Sequence, residues 1–429
     1  MEKKIGNLFK GDKGIWTVFL FLCLISIVEV FSASSTLTYK SHNYMGPLIY
    51  HTAMILAGLV VAIITLNIPC AYFKRLIPCL LLITYGTLGW VLFFGESING
   101  ANRVIQLPGF TFQPSEIAKG TMVLFTAYVL SITQREDGSG ANTKAMPFIL
   151  IIVTPAVFLI AIENLSTALL LFAIVFLMMF IGRVPMKQMG KLMGVCVLLA
   201  ALFLALVFSM AKLDKEGQAL EAAQAANTEV VSKPTKEERS FWDTFTHRFW
   251  TWKNRLTDKN EKPARPEDYK VTDKNFQVTH ANLAIASSGI LMGKGPGNSI
   301  ERDYLPQAFS DFIFAIIIEE MGLIIGAVGV VFLYVILLFR GARIAGRCEN
   351  NFPAFLVMGF VLLLVIQAAI NMCVAVDFGI VTGQPLPLIS KGGTSTIVNC
   401  AYIGAILSVS RSAKRRDAKP VESIETSEI

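Results

Sequence analysis

AMPFILIIVTPAVFLIAIENLSTALLLFAIVFLMMFIG, residues 145–182, holds a single ionisable residue, Glu163. A membrane-spanning helix needs about 18–25 predominantly apolar residues, so this stretch reads as two spans set back to back with Glu163 at the joint. The same test is passed without any Lys, Arg, Asp or Glu by Leu76–Gly95, Leu192–Ala211 and Gly392–Ser410. Across all 429 residues, 54% are hydrophobic and 16% charged, where a soluble domain carries roughly a quarter charged; mean hydropathy is +0.57. The deficit runs along the whole chain, which excludes a soluble enzyme on one anchor. Gly14–Val28, followed by Glu29 and Ser32-Ala-Ser-Ser, mimics a signal peptide. With so many spans after it, an uncleaved first helix is expected.

Working outward gives an all-α polytopic membrane protein of about ten helices, at 15–35, 46–68, 76–95, 115–133, 146–163, 165–182, 190–211, 311–339, 352–375 and 392–410. Orientation follows from where Lys and Arg gather near span ends. Alternate loops on one side hold Lys3, Lys4, Lys10 and Lys13, then Lys74 and Arg75, Arg135 and Lys144, and Arg183, Lys187 and Lys191. Arg340, Arg343 and Arg347 follow, with Arg411, Lys414, Arg415, Arg416 and Lys419 in the tail; the short loops opposite hold only Lys40, Arg103 and Lys391. Both termini are therefore expected in the cytoplasm. The formal charge of +7 is largely this topology signal, and no feature supports a nucleic-acid partner. The seven cysteines lie in or beside apolar segments without a CxxC pair, and the four histidines are scattered, so neither disulfides nor a zinc site is expected.

One domain, 1–429, is expected, with a cytoplasmic tail at 412–429 and a long extracytoplasmic loop, 212–310, between helices 7 and 8. Lys212–Glu238 is rich in Ala, Glu, Gln and Lys and reads as a mobile helix or disorder. Phe241–Leu256 interleaves six aromatics with His247, Arg248, Lys253 and Arg255, the pattern of an interfacial helix or of one packed on the protein's own rim.

Ionisable groups inside spans are costly and are functional candidates by default. Here they are Glu29, Glu116, Lys119, Asp311, Glu319 and Glu320, with Glu163 at a span end, all on the outer side by this topology. Gln113-Pro-Ser115-Glu116 is a helix entry with Pro and an acid in the first turn. Glu116 and Lys119 share a helix face and can pair, either as a structural ion pair or as part of a site. Arg103 is the lone basic residue of its short loop, placed for a phosphate at headgroup level. Ser288–Ser299 carries Lys294, Asn298 and Ser299 among closely spaced glycines, yet lacks the phosphate-loop ending. Asp311 stands where an apolar helix emerges, at the positive end of its dipole, as a cap or as a reactive group. Glu319 falls about 80° round from it at 3.6 residues per turn, so a shared cavity is expected, with Glu320 turned away. Thr382–Ser395 is irregular backbone, tolerated at membrane depth only inside protein or beside water. Its Ser390, Lys391, Gly392, Gly393, Thr394 and Ser395 supply donors suited to an anionic headgroup.

Together these clusters resemble the SEDS family (shape, elongation, division and sporulation), and within it the division type. The likeness is carried by Ser32-Ala-Ser-Ser, Gly100-Ala-Asn-Arg103, Gln113-Pro-Ser-Glu-Ile-Ala-Lys119 and Gly293-Lys-Gly-Pro-Gly-Asn-Ser299. Leu305-Pro…Asp311-Phe-Ile-Phe…Glu319-Glu-Met-Gly-Leu323 and Leu386-Pro-Leu-Ile-Ser…Gly392-Gly-Thr-Ser395 complete it. The resemblance implies a peptidoglycan glycosyltransferase that joins lipid II, a lipid-linked disaccharide-peptide, to a growing lipid-linked glycan at the outer membrane face, releasing undecaprenyl pyrophosphate. It maps the family's essential aspartate onto Asp311, a general base for the attacking hydroxyl. Arg103, Lys119 and Lys391 are then candidate cations for the leaving pyrophosphate, with a divalent ion, Mg or Mn, as the one cofactor considered. It implies a single-pass class B transpeptidase (a penicillin-binding protein) and other division proteins as partners, and a place in the cytoplasmic membrane at the septum. A lipid II transporter and an elongation-type polymerase are the alternatives. The sequence departs from the family at Val104, usually Trp, at Gln307 and Phe309, usually Glu and His, at Glu163-Asn-Leu-Ser-Thr167 for Pro-Asp-Leu-Gly-Thr, and at Lys391, usually Tyr. Loss of that His leaves Asp311 with fewer groups to tune it.

Overall fold

The structure, a computed structural model, describes residues 10–33, 46–94, 96–98, 101–107, 110–203, 205, 271, 275–305, 308–379 and 382–417. Its helices are α1 (Lys13–Ala33), α2 (Gly46–Asn67), α3 (Cys70–Phe94), α4 (Pro114–Ile132), α5 (Ala145–Glu163) and α6 (Leu165–Ile181). These are followed by α7 (Met186–Phe203), α8 (Phe276–Ala286), α9 (Ile313–Met321), α10 (Gly329–Gly346), α11 (Asn351–Ala375) and α12 (Gly393–Asp417). Described helices fall at the expected spans, with 190–211 described only through 203 and at 205, and 311–339 divided between two helices. Among the described residues, eight helical segments are long and apolar enough to cross a membrane; α6 is shorter, and α4, which opens on Ser115, Glu116 and Lys119, is outside that set.

The chain divides into two compact units, Met1–Val184 with Val271–Ile429, and Pro185–Lys270. α7 is the described part of the second; all other elements belong to the first. The expected features at Lys212–Glu238 and Phe241–Leu256 lie outside the described residues. Large apolar side chains face outward, Leu82 being 76% and Phe93 73% exposed. A water-facing surface does not sustain such a continuous apolar exterior, and lipid does. The chain is a multi-pass membrane protein.

Between lipid-facing helices there is little hydrophobic drive, so close packing falls to small residues. Gly58 and Ala62 on α2 meet Cys400 and Gly404 on α12: a Cβ at Gly404 would lie 2.5 Å from the Ala62 carbonyl oxygen, and one at Gly58 would lie 2.6 Å from the Cys400 sulfur. The four residues repeat the same i, i+4 spacing on both helices.

Two features were not expected. Between α3 and α4 the chain forms a three-stranded antiparallel sheet, β1 (Glu96–Ile98), β2 (Ala101–Leu107) and β3 (Phe110–Phe112), with Ile105 opposite Phe112 and Asn102 opposite Ser97. The span expected as one helix over 311–339 is also broken. α9 stops at Met321, Gly322 takes φ +89°, and a π-helical turn, Leu323–Val328, leads into α10. The glycine-rich loop after α8 fills the break. Lys294 and Gly295 donate backbone N–H to the carbonyls of Glu319 and Glu320 (2.9 and 2.8 Å), while Leu323 and Ile324 donate to those of Gly289 and Ile290 (3.1 and 3.0 Å). The loop thus satisfies helix-end groups that lipid could not. A Cβ at Gly322 would lie 2.8 Å from the Gly293 nitrogen, which is why glycine stands there.

Candidate active site

β3 delivers the chain to Gln113, the N-cap residue of α4, and Pro114 opens the helix. The Gln113 amide donates to the Ser115 hydroxyl (3.1 Å). One turn on, Lys119 and Glu116 pair at 2.9 Å with side chains 0% and 3% exposed. The Lys119 ammonium also donates to Gln367 Oε1 on α11 (2.7 Å). Tyr402 of α12 donates its hydroxyl to the Glu116 carbonyl (2.6 Å), and a Cβ at Gly120 would come within 2.5 Å of that ring. The ion pair is therefore locked against α11 and α12.

The irregular segment before α12 is held in place because its carbonyls are answered one by one from α11, α10 and α1. Asn371 donates to Gln384 O (2.7 Å), Gln367 to Pro385 O (3.1 Å), Tyr334 of α10 to Pro387 O, and Ser26 of α1 to Ile389 O (2.6 Å). The Gln384 amide reaches back to Thr167 of α6 (2.6 Å). Leu388, with φ +67°, turns the chain. Ser390 then accepts from the Leu386 N–H (2.7 Å) and donates to the Ser310 carbonyl (2.6 Å), while the Lys391 N–H donates to the Phe309 carbonyl (2.9 Å).

That stitching seats Asp311. It lies in the turn before α9, one residue ahead of the N-cap residue Phe312, and is partly exposed. Its carbonyl accepts from Asn371 (2.8 Å), and its Oδ1 accepts from the Ser310 hydroxyl (2.9 Å). Oδ2 faces Gly383, where a Cβ would stand 3.5 Å away and where the backbone takes φ +64°. The Lys391 ammonium sits 5.0 Å over the Phe309 ring, and among the described residues it has no carboxylate partner within ion-pair distance. Burial lowers the pKa of this ammonium. The turns that carry Asp311 and Lys391 are joined in one hydrogen-bonded framework.

A family model for FtsW, RodA and SpoVE, described as cell cycle protein, matches residues 12–229 and 238–415. The chain belongs to the FtsW/RodA/SpoVE family. It is 30% identical to the probable peptidoglycan glycosyltransferase FtsW of Halomonas elongata, over 93% of this chain and 90% of that protein. To the FtsW of Haemophilus influenzae, also called a probable peptidoglycan glycosyltransferase, it is 29% identical over 93% and 90%. The fold is similar to that of the rod shape determining protein RodA of Thermus thermophilus, with TM-score 0.58, 21% identity and coverage of 95% and 98%. It is also similar to a chain in a structure described as structural coordination of polymerization and crosslinking by a peptidoglycan synthase complex, with TM-score 0.63, 23% identity and coverage of 94% and 99%.

Within this FtsW/RodA/SpoVE chain the residues singled out from sequence fall into separate groups. Glu116, Lys119, Asp311, Ser390 and Lys391 converge through α11, whose Gln367 and Asn371 were not singled out. Their signal was two amides four residues apart in an otherwise apolar span, overlooked because only ionisable groups were weighed. Thr394 ties the start of α12 to β3 by donating to Thr111 O (3.0 Å), and Ser395 donates to Gly392 O (2.8 Å); a Cβ at Gly393 would stand 3.6 Å from Thr111 Oγ1. Arg103 lies on β2, and its side chain is outside the described residues.

Glu319 does not join Asp311. Its carboxylate accepts from Lys294 (2.6 Å), from the Ser299 hydroxyl, from Ser287 (3.3 Å) and from the Ile300 N–H (3.1 Å). Helical counting from Asp311 failed because the helix starts only at Ile313. Glu320 does not turn to an opposite side either: it accepts from Ser32 and from the Ser299 N–H (3.3 Å). Asn298 closes its own loop by donating to Lys294 O (3.0 Å). Among the described residues no three His, Cys, Asp or Glu side chains gather as metal ligands. A Mg or Mn ion here would have to be held largely by a phosphate substrate, as is usual for Mg.

The two departures nearest Asp311, Phe309 and Lys391, prove to be neighbours.

Proposed function

We propose that this chain is a peptidoglycan glycosyltransferase that polymerises lipid II at the outer face of the cytoplasmic membrane during cell division. The observation that carries the reading is the placing of Asp311 in the turn before α9, where hydrogen bonds through Ser310 and Phe309 join it to the Ser390–Lys391 turn, in a family whose named members include probable peptidoglycan glycosyltransferases. Asp311 takes the proton from the attacking sugar hydroxyl. That oxygen bonds to the anomeric carbon of the donor, whose bond to the pyrophosphate oxygen breaks. Undecaprenyl pyrophosphate leaves with the electron pair, and a single displacement inverts the centre. A carboxylate base contributes about 10²–10⁴-fold.

Lys391 is the cation assigned to the leaving pyrophosphate. Lys119, fully buried and committed to Glu116 and Gln367, is assigned a positioning role, holding α11 and through Asn371 the Asp311 backbone. A cavity of about 500 Å³ between α3 and β2, lined by Gly86, Thr87, Trp90, Phe94, Val104, Ile105 and Gln106, offers an apolar seat for a polyprenyl chain close to the strand that bears Arg103. The orientation, with both termini cytoplasmic and 212–310 outside, belongs to the same proposal. So does a class B transpeptidase partner that crosslinks the product.

Incubating the purified protein with lipid II, alone and with a cognate transpeptidase, tests the reading. Glycan polymer is expected, and more of it in the complex. No polymer under either condition would refute the activity, and full activity indifferent to every transpeptidase would refute dependence on the complex.

The cation role of Lys391 gives a pH prediction. Burial lowers its pKa, so its charge is present at lower pH and is lost as pH rises through that lowered value. The alkaline limb of polymerisation should therefore shift to higher pH in Lys391→Arg, since guanidinium stays protonated, and Lys391→Met should be slow at all pH. An unmoved alkaline limb in the Arg variant would exclude Lys391 from the rate.

A further inference from the structure

Glu29 on α1 is completely buried, and neither of its carboxylate oxygens has a hydrogen-bond partner among the described residues. The proposed mechanism makes no use of it. An ionised carboxylate in such a place is among the costliest groups a protein can hold. One turn along α1, Ser32 donates to Glu320 Oε1 and accepts from Arg302 (3.0 Å), which brings Glu29 alongside Glu320. Glu320 Oε2 is likewise buried without a hydrogen-bond partner among the described residues.

Several charged or titratable groups lie on the elements around this pair. Arg302 lies on the 3-10 turn Glu301–Asp303, next to the more exposed Asp303 (3.9 Å). Lys294 on the glycine-rich loop is committed to Glu319. On α2, His51 hydrogen-bonds Ser26, one turn before Glu29 (2.8 Å), and His280 of α8 pairs with Glu301, the neighbour of Arg302 (2.6 Å). Inside the cluster Glu29, Glu319 and Glu320 thus meet two cations, Lys294 and Arg302. One buried negative charge is left over.

We propose that Glu29 and Glu320 form a binding site for one monovalent cation, a proton or an alkali ion, that neutralises this excess. The site joins α1 to the broken α9–α10 helix. Glu320 lies two residues before Gly322 and shares Ser299 with Glu319, so occupancy of the site bears directly on how tightly the glycine-rich loop is held in the break. This is separate from the chemistry assigned to Asp311 and stands whether or not that assignment does.

The test uses the full-length protein in lipid nanodiscs, with Glu29→Gln and Glu320→Gln as near-isosteric variants. If the occupant is a proton, infrared spectra of the wild type at neutral pH carry the C=O stretch of a protonated carboxyl that Glu29→Gln lacks. Melting temperature then falls by a few degrees as pH rises in the wild type and stays flat in Glu29→Gln. If the occupant is an alkali ion, that band is absent, and melting temperature rises with sodium or potassium against choline in the wild type only. Wild-type and Glu29→Gln proteins that share the same pH and salt dependence, with no band assignable to Glu29, would overturn the proposal. Should Glu29→Gln fail to fold, loss of the same band or salt response in Glu320→Gln serves, and its persistence there counts against a shared site.

Discussion

Asp311→Asn is expected to lower polymerisation of lipid II by about 10²–10⁴-fold while leaving melting within about 1 kcal/mol of wild type. The expectation rests on where the carboxylate sits. The sequence left open a helix cap, for which Asn is nearly as good as Asp. Phe312 is the N-cap residue of α9, with Asp311 outside the helix and one oxygen toward Gly383. An amide there still accepts from Ser310 and leaves the backbone contact to Asn371 untouched, so structure is preserved. What it cannot do is take a proton at neutral pH. Single-turnover assays with purified variants, beside melting curves, separate the cases; near-normal turnover would return Asp311 to a structural role and reopen the transporter reading.

Lys119→Met should have the largest effect on stability of any substitution at the site, roughly 3–5 kcal/mol, because it strands the Glu116 carboxylate in a sealed environment. Glu116 Oε2 already lacks a hydrogen-bond partner, so no spare donor is present among the described residues to compensate. The double variant Glu116→Gln with Lys119→Met should recover most of the loss, since the pair is removed together. Its turnover should remain depressed, because Gln367 loses the ammonium that fixes α11. A Lys119→Met protein that melts normally and loses only lipid II affinity would mean that the lysine is a ligand for substrate rather than a positioning residue.

Much of the architecture could be read directly from the chain because lipid imposes one strong rule. Apolar runs such as Ala145–Glu163 and Leu165–Ile181 must be helices, since no other local structure satisfies its own backbone there. The paired Glu116 and Lys119 were equally legible, being three residues apart on a helix whose entry, Gln113-Pro114, was plain. The sheet at 96–112 was not, because its strands are three to seven residues long and its pairing depends on non-local register. Nor was the break at Gly322. A glycine in an apolar run reads as an ordinary packing position until Gly293 and Met292 are seen against it.

The sequence by itself determined most of the apolar helices and the Glu116–Lys119 pair, because these follow from hydropathy and local spacing. Only the tertiary structure decided which groups work together. It committed Lys119 to Gln367 as well as to Glu116, gave Glu319 to the glycine-rich loop and tied the Ser390–Lys391 turn to Ser310 and Phe309. Sequence could not make those assignments, because each depends on contacts between residues far apart in the chain. Gln367 meets Lys119 from 248 positions away and Ser390 meets Ser310 from 80. In a low-dielectric interior every buried charge and irregular carbonyl must find its particular partner, and which partner is within reach is fixed by how the helices pack.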